Sequence, residues 1–364
     1  MSRQPVSLSL SIRDQRLRGG RLANVVSSLG QALADEFPSG FDFVIVGSQG
    51  EKARVYGGEA CRVEDSVPVR ATTLFDLASL TKVVVTTPLA LWLRDGGHWD
   101  LDHPVQRWVP DYPHAQTTLR ELLTHTSGLV AHVPFYRDAV GVASVRRALM
   151  REVAHDLGPH DVLYSDLNFM LLGWAIEQCA QMPLDRLFRT VIGRPLAMST
   201  ARFRPPPSLR RRIAATELDG DQRLAPGLVW GEVHDGNAFA MGGVSGHAGL
   251  FASAGDLTRY VMSILGSTSP TILAASTVRE MARAAAGRSP DVRGLGWRVD
   301  PAEWGEWPVG TIWHTGFTGT SLLVAPALDT AVVLLTNAIH PIRQMERQAT
   351  FRADLHRRVL EVVT

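Results

Sequence analysis

Ser79 and Lys82 stand one helical turn apart in Ser79-Leu80-Thr81-Lys82, ahead of the apolar run Val83-Val84-Val85. A serine hydroxyl is a weak nucleophile until a neighbour takes its proton. A lysine amine can be neutralised by burial and take it, whereas arginine stays protonated. The contrast is sharp here. Of 37 basic residues only Lys52 and Lys82 are lysine, and the other 35 are arginine. Ser79 is therefore the candidate nucleophile and Lys82 its candidate base. A helix beginning near Ser79 would put both side chains on one face and offer free backbone N–H groups to a developing oxyanion.

Two further segments carry groups suited to the same chemistry. In Leu163-Tyr164-Ser165-Asp166-Leu167-Asn168, a phenol beside a lysine ammonium is biased toward phenolate. It could take the serine proton or pass one to a leaving group. Asp166 is the expected N-cap of the helix that follows. In Trp313-His314-Thr315-Gly316-Phe317-Thr318-Gly319, a strand ends in small residues along which a ligand could lie.

The elements that must position these groups follow from periodicity. Leu22, Val25, Val26, Leu29 and Leu33 predict an amphipathic helix. The runs 43–46 and 53–56, around Gly47-Ser48-Gln49-Gly50, predict a hairpin. A helix is expected from Thr81 to Arg94, kinked or divided at Pro88. Two more are expected over 145–154 and 167–181, then strands over 296–299, 321–324 and 331–335, and a last helix over 344–363. The expected fold is α+β: one antiparallel sheet built from both ends of the chain, terminal helices on one face, and a mainly helical subdomain inserted. The boundaries read as 1–75 plus 290–364 for the sheet subdomain and 76–289 for the insert, with the active site at their junction.

Composition narrows the partners. The 364 residues are 45% hydrophobic and 20% charged, with a formal net charge of +1. No global field points to nucleic acid or a membrane surface. Arg210-Arg211-Arg212 reads as a solvated loop. Cys61 and Cys179 lack metal-ligand spacing, and Cys179 falls on an apolar helix pattern as a small core residue; one disulfide stays open. The histidines form no metal-binding motif and no phosphate-binding loop is present, so neither cofactor nor metal is expected. The N-terminal stretch alternates, unlike a continuous signal core, and no segment reaches membrane-spanning length. The expected location is cytoplasmic, which argues against direct work on the cell wall. The expected partner is a small-molecule ester, amide or peptide substrate, not nucleic acid or membrane.

Taken in order, Ser-x-x-Lys, a Tyr-x-Asn-like motif and a Lys-Thr-Gly-like motif resemble the serine β-lactamases and penicillin-binding proteins. The tyrosine points to the class C β-lactamase branch, with its esterases and D-aminopeptidases. Residues 122–129, 233–237, 242–251 and 336–341 are similar to further runs of that branch, and the likeness spans Phe43 to Pro341. It implies that Ser79 is acylated, that Lys82 and Tyr164 share proton transfer, and that the N–H groups of Ser79 and Phe317 form the oxyanion hole. It implies that Asp166, His314, Thr315, Gly316 and Phe317 bind substrate. It gives His125, His234 and His247 structural roles. The loops 133–142 and 199–228 are expected to wall the pocket. Two positions depart from the pattern. His314 stands where β-lactamases carry lysine, and Asp166 where an amide-reading asparagine usually stands. Both weaken recognition of an anionic acyl-amide such as penicillin, since neutral histidine lacks fixed charge and an ionised aspartate only accepts. The expected activity is ester or amide hydrolysis, including D-amino-acid amides, with weak or no β-lactamase activity. An acyltransferase or peptide cyclase using the same acyl-enzyme, and a non-catalytic binding or sensor protein, stay open.

Overall fold

The computed structural model describes residues 8–17, 20–35, 37–158, 161–221, 226–267 and 271–364. The first seven residues and part of the 199–228 loop therefore lie outside the described residues. Alternating side chains build the sheet. In the strand Gly40–Gly47, Phe41, Phe43 and Ile45 point to one core while Val44 and Val46 point to the other. A strand covered on both faces reads as an unbroken apolar run.

Its neighbours come from both ends of the chain. The hairpin partner Gly50–Cys61 lies on one side and Thr330–Thr336 on the other. Beyond the hairpin, Leu8–Ile12 closes one edge. Beyond Thr330–Thr336, the sheet continues through Ser321–Ala325, Ile312–Thr315, Arg298–Val299, Asp291–Arg293 and Ala286–Arg288, every pair antiparallel. The strand expected over 296–299 is shortened to its last two residues, because Gly296 turns with a positive φ.

The terminal helices Gly20–Ala34 and Met345–Val363 pack together on one face. Leu22, Val25, Leu29, Leu33, Leu355 and Val359 bury against Phe43, Trp313 and Leu323. The opposite face is covered by the helix Ala254–Ile264 and the helical region beyond it. The observed fold is thus the α+β layer expected.

The helix after Ser79 comes in two pieces, as Pro88 required. A wide π-type turn spans Lys82–Thr86 and an α-helix follows over Thr87–Asp95, with the proline in its first turn, where no N–H is needed. Such wide turns recur at functional sites. Two helix expectations need correction. The helix expected over 145–154 runs Val142–Leu149. Asp166 is not a cap: Ser165 occupies that position and Asp166 opens the helix Asp166–Ala180, where a carboxylate suits the positive end of the helix dipole. Cys61 and Cys179 are both free, Cys179 only half-buried. The 210–212 arginines are exposed, as expected, on a short 3-10 turn. Arg210 and Arg211 pair with Glu64 and Asp65. Among the described residues no helix is long and apolar enough to cross a membrane.

Candidate active site

Ser79, the candidate nucleophile, sits on a strained turn. Ala78, just before Ser79, has φ +47, a left-handed conformation that costs a non-glycine residue energy. Asp76 holds it there. One carboxylate oxygen accepts from the Ala78 N–H at 2.8 Å and the other from the His234 N–H at 2.7 Å. The third motif is stitched to the same turn. Thr318 Oγ1 donates to Asp76 O at 2.7 Å, and Thr320 Oγ1 to Leu77 O at 3.2 Å. Gly316 packs so closely that a Cβ would meet Leu77 O at 2.6 Å, which explains the small residue there. The backbone N–H groups of Ser79 and Phe317 have no hydrogen-bond partner among the described residues, and both residues line one cavity of about 470 Å³.

Lys82 ties the sequence-predicted groups together. Its fully buried Nζ lies 2.8 Å from Ser79 Oγ, 2.8 Å from Tyr164 Oη and 2.7 Å from Asp166 Oδ1. Tyr164 and Asp166 arrive from a loop and helix more than eighty residues away in sequence. Burial alone would lower the pKa of Lys82, but the charge of Asp166 and then Tyr164 outweigh it and raise it above 10.5. For Asp166, burial pulls upward, while Lys82 and then His132 hold the carboxyl far below its usual range. The resting state is therefore an ammonium–carboxylate pair, not the neutral lysine that burial alone would give.

His314 also lines the cavity and is itself buried. Its burial, with the charges of Lys82 and Arg293, pushes the imidazole well below its usual pKa, so it is neutral. Nδ1 stands 2.9 Å from Thr315 O, which can only accept, so Nδ1 carries the hydrogen. Nε2 is left as a bare acceptor with no partner among the described residues.

The three other histidines behave as expected, with one addition. His125 Nδ1 accepts from the Ser165 N–H at 3.1 Å. His247 bridges Ser245 Oγ at 2.7 Å and Asp235 Oδ1 at 2.8 Å. His234 meets Glu217 at 3.0 Å, but it also stacks on Phe317 and lines the cavity.

Several site residues escaped sequence reasoning. His132, Asp235, Arg293, Arg298 and Arg352 all line the cavity. Asp235 fell within a run singled out for resemblance, but its carboxylate had been given no task. The arginines gave no signal in a chain so rich in them. Conversely, among the described residues neither the 133–142 nor the 199–228 loop lines this cavity, since the wall is formed instead by the last helix through Met345, Gln348 and Arg352. Asp166, Asp235 and His247 present oxygen and nitrogen atoms within 4.8 Å of one another, a cluster that no sequence spacing foretold.

An antiparallel sheet backed by its terminal helices, with a serine, lysine and tyrosine gathered where a helical region meets it, is the architecture of the β-lactamase/transpeptidase fold. The chain belongs to the beta-lactamase family, whose model matches residues 39–357. A putative D-alanyl-D-alanine carboxypeptidase of Escherichia coli (strain K12) is 32% identical, covering 78% of this chain and 74% of that protein. Among solved structures, a class C beta-lactamase aligns with a TM-score of 0.74 at 17% identity, over 96% of this chain and 97% of its own. Simvastatin synthase (LovD) from Aspergillus terreus aligns at 0.72 and 18% identity, over 93% and 98%. At such identities the two structures show the fold alone. The family supports the coarse class of serine hydrolase.

Proposed function

We propose that this protein takes the acyl group of an ester or amide onto Ser79 Oγ and releases it to water. The observation that carries this reading is Lys82 Nζ held within 2.8 Å of both Ser79 Oγ and Tyr164 Oη. With Lys82 an ammonium, the proton acceptor falls to Tyr164, whose Oη lies 2.8 Å from Lys82 Nζ. Ser79 Oγ attacks the carbonyl carbon as Tyr164 takes its proton. The oxyanion meets the N–H groups of Ser79 and Phe317. Tyr164 returns the proton to the leaving oxygen or nitrogen as its bond to the acyl carbon breaks. Water, deprotonated by the same phenolate, then splits the acyl-serine bond.

The leaving side of the cavity favours a carboxylate. His314 brings no charge, but Arg293, Arg298 and Arg352 line the same wall. Arg293 and Arg298 share Asp291 at 2.8 and 3.1 Å, and Arg293 Nη1 has no hydrogen-bond partner among the described residues. Positive charge missing at position 314 is thus resupplied from three other positions. The case against β-lactams rests on Asp166 alone. A peptide amide ending in a free carboxylate fits this wall, in keeping with the name of the Escherichia coli relative.

The test compares p-nitrophenyl butyrate, an alanyl-alanine peptide, the same peptide with its C-terminus amidated, and a chromogenic cephalosporin. Ester turnover is expected, with the free-carboxylate peptide at least about tenfold above its amide in kcat/KM, as charge-assisted hydrogen bonds imply. The cephalosporin should be slowest. Efficient cephalosporin turnover with no ester or peptide activity contradicts this substrate reading.

A further inference from the structure

The last helix holds the backbone around Phe317 from behind. Arg352 Nη1 donates to Gly316 O at 3.2 Å and to Thr320 O at 3.4 Å. One turn earlier on the same helix, Gln348 Nε2 donates to Phe317 O at 3.1 Å. Residues four apart share a helix face, so the two side chains reach successive carbonyls of one loop. That loop also closes on itself. The Gly316 N–H donates to Thr320 O at 2.8 Å and the Gly319 N–H to Gly316 O at 3.1 Å. Arg352 Nη1 therefore bridges the two carbonyls that pin the ends of the turn.

Arg352 differs from the other arginines of the cavity wall. Arg293 and Arg298 both pair with Asp291. Arg352 is half-buried, and its hydrogen bonds among the described residues go to backbone carbonyls alone. Burial lowers its pKa to about 10, so the guanidinium is still a cation at neutral pH. A charged donor fixes a carbonyl more firmly than a neutral one.

The consequence falls at the other end of the peptide. The Gly316–Phe317 bond is not among the cis bonds of the chain. In a planar trans unit the C=O and the N–H point opposite ways. With Gly316 O fixed on Arg352, the Phe317 N–H is turned away from that side chain. It has no hydrogen-bond partner among the described residues, and Phe317 lines the cavity that Ser79 shares. Donation to the carbonyl also polarises the amide and strengthens its N–H as a donor.

We propose that Arg352, with Gln348 beside it, is a positioning residue of the oxyanion hole, setting the plane and donor strength of the Phe317 N–H through Gly316 O. Arg352 does this without touching the oxyanion. The inference rests on the acyl-enzyme reading above and gives a task in the chemical step to a residue so far used only for its charge.

The test measures p-nitrophenyl butyrate turnover and inhibition by butylboronic acid in Arg352→Met and Gln348→Met. The leaving group of this ester has no carboxylate, so a purely carboxylate-binding arginine leaves its turnover unchanged. The boronic acid bonds Ser79 Oγ as a tetrahedral anion with an oxygen in the oxyanion hole. Its Ki does not depend on how much of the protein is active, so partial misfolding does not imitate the effect. In Arg352→Met, kcat should fall about ten- to hundredfold, short of the loss of an oxyanion donor itself. KM should stay within about twofold, because the interaction is realised only in the transition state. Ki should rise by the same factor as kcat falls. Gln348→Met, which removes one neutral hydrogen bond, should raise Ki at least about threefold. An unchanged Ki in a folded Arg352→Met overturns the inference, and so does a loss confined to a free-carboxylate peptide. Should Arg352→Met not fold, an unchanged Ki in Gln348→Met overturns it instead. Failure of both ester and boronic acid to engage Ser79 in the unaltered protein overturns the acyl-enzyme reading and this inference with it. An acyl-enzyme at Ser79 with an insensitive Ki overturns this inference alone.

Discussion

Replacing Ser79 by alanine is expected to cut ester and amide turnover by about 10⁴-fold or more, the scale seen when a nucleophile that works as part of a unit is removed. The fold should survive. Ser79 is only half-buried, its side chain bonds Lys82 and nothing else among the described residues, and the turn is held by Asp76, Thr318 and Thr320 instead. The expected stability change is about 1 kcal/mol, the worth of one hydrogen bond. Steady-state kinetics with p-nitrophenyl butyrate and a thermal melt check both parts. A Ser79→Ala protein that keeps more than a tenth of wild-type turnover would place the nucleophile elsewhere.

The second large effect belongs to the Lys82–Asp166 pair. Lys82→Met keeps the volume of the side chain but leaves the half-buried Asp166 with His132 as its nearest basic group. Turnover should fall about 10²–10⁴-fold, the usual worth of a proton-transfer group. Lys82→Arg should be nearly as harmful, because a planar guanidinium does not fit a fully buried slot shaped for an amine. The pH dependence follows from the direction of the shifts. A lysine raised above 10.5 contributes stability that is fully present below 10.5 and is lost as pH climbs through its folded value. Asp166, depressed below 3.8, contributes above 3.8 and loses this as pH falls through its folded value. Between those limits the pair gives a flat profile. In Asp166→Asn, burial acts on Lys82 with its largest opposing influence gone, so the ammonium deprotonates at lower pH. The alkaline limb of kcat/KM should move toward neutrality. An unchanged limb would mean that Asp166 does not govern the charge of Lys82. A rise in activity at neutral pH would mean that neutral lysine is the working form.

What was legible in the sequence shares a physical reason. The strand Gly40–Gly47, the hairpin and the terminal helices follow from local periodicity, and Ser79 with Lys82 from spacing along one turn. The lysine stood out because so few others compete with it. The rest depends on long-range closure. Asp76 ties the turn at Ser79 to His234 and Thr318, residues 158 and 242 positions away. Arg293, Arg298 and Arg352 reach one wall from two strands and the last helix, and nothing distinguishes them from 32 others in the sequence. Asp166 shows how a local rule can mislead. An aspartate before an apolar helix reads as a cap, yet its carboxylate goes to Lys82, and Ser165 takes the cap position. At position 314 the sequence shows the loss of a fixed charge, but not that Arg293, Arg298 and Arg352 reach the same cavity from elsewhere in the chain.

The most direct measurement is intact-mass spectrometry of the protein quenched in acid during turnover of p-nitrophenyl butyrate, followed by peptide mapping. The expected result is a butyryl mass increment confined to the peptide containing Ser79, decaying on the timescale of turnover and absent from Ser79→Ala. Product release with no increment at any quench time, or an increment on another residue, would contradict an acyl-enzyme at Ser79.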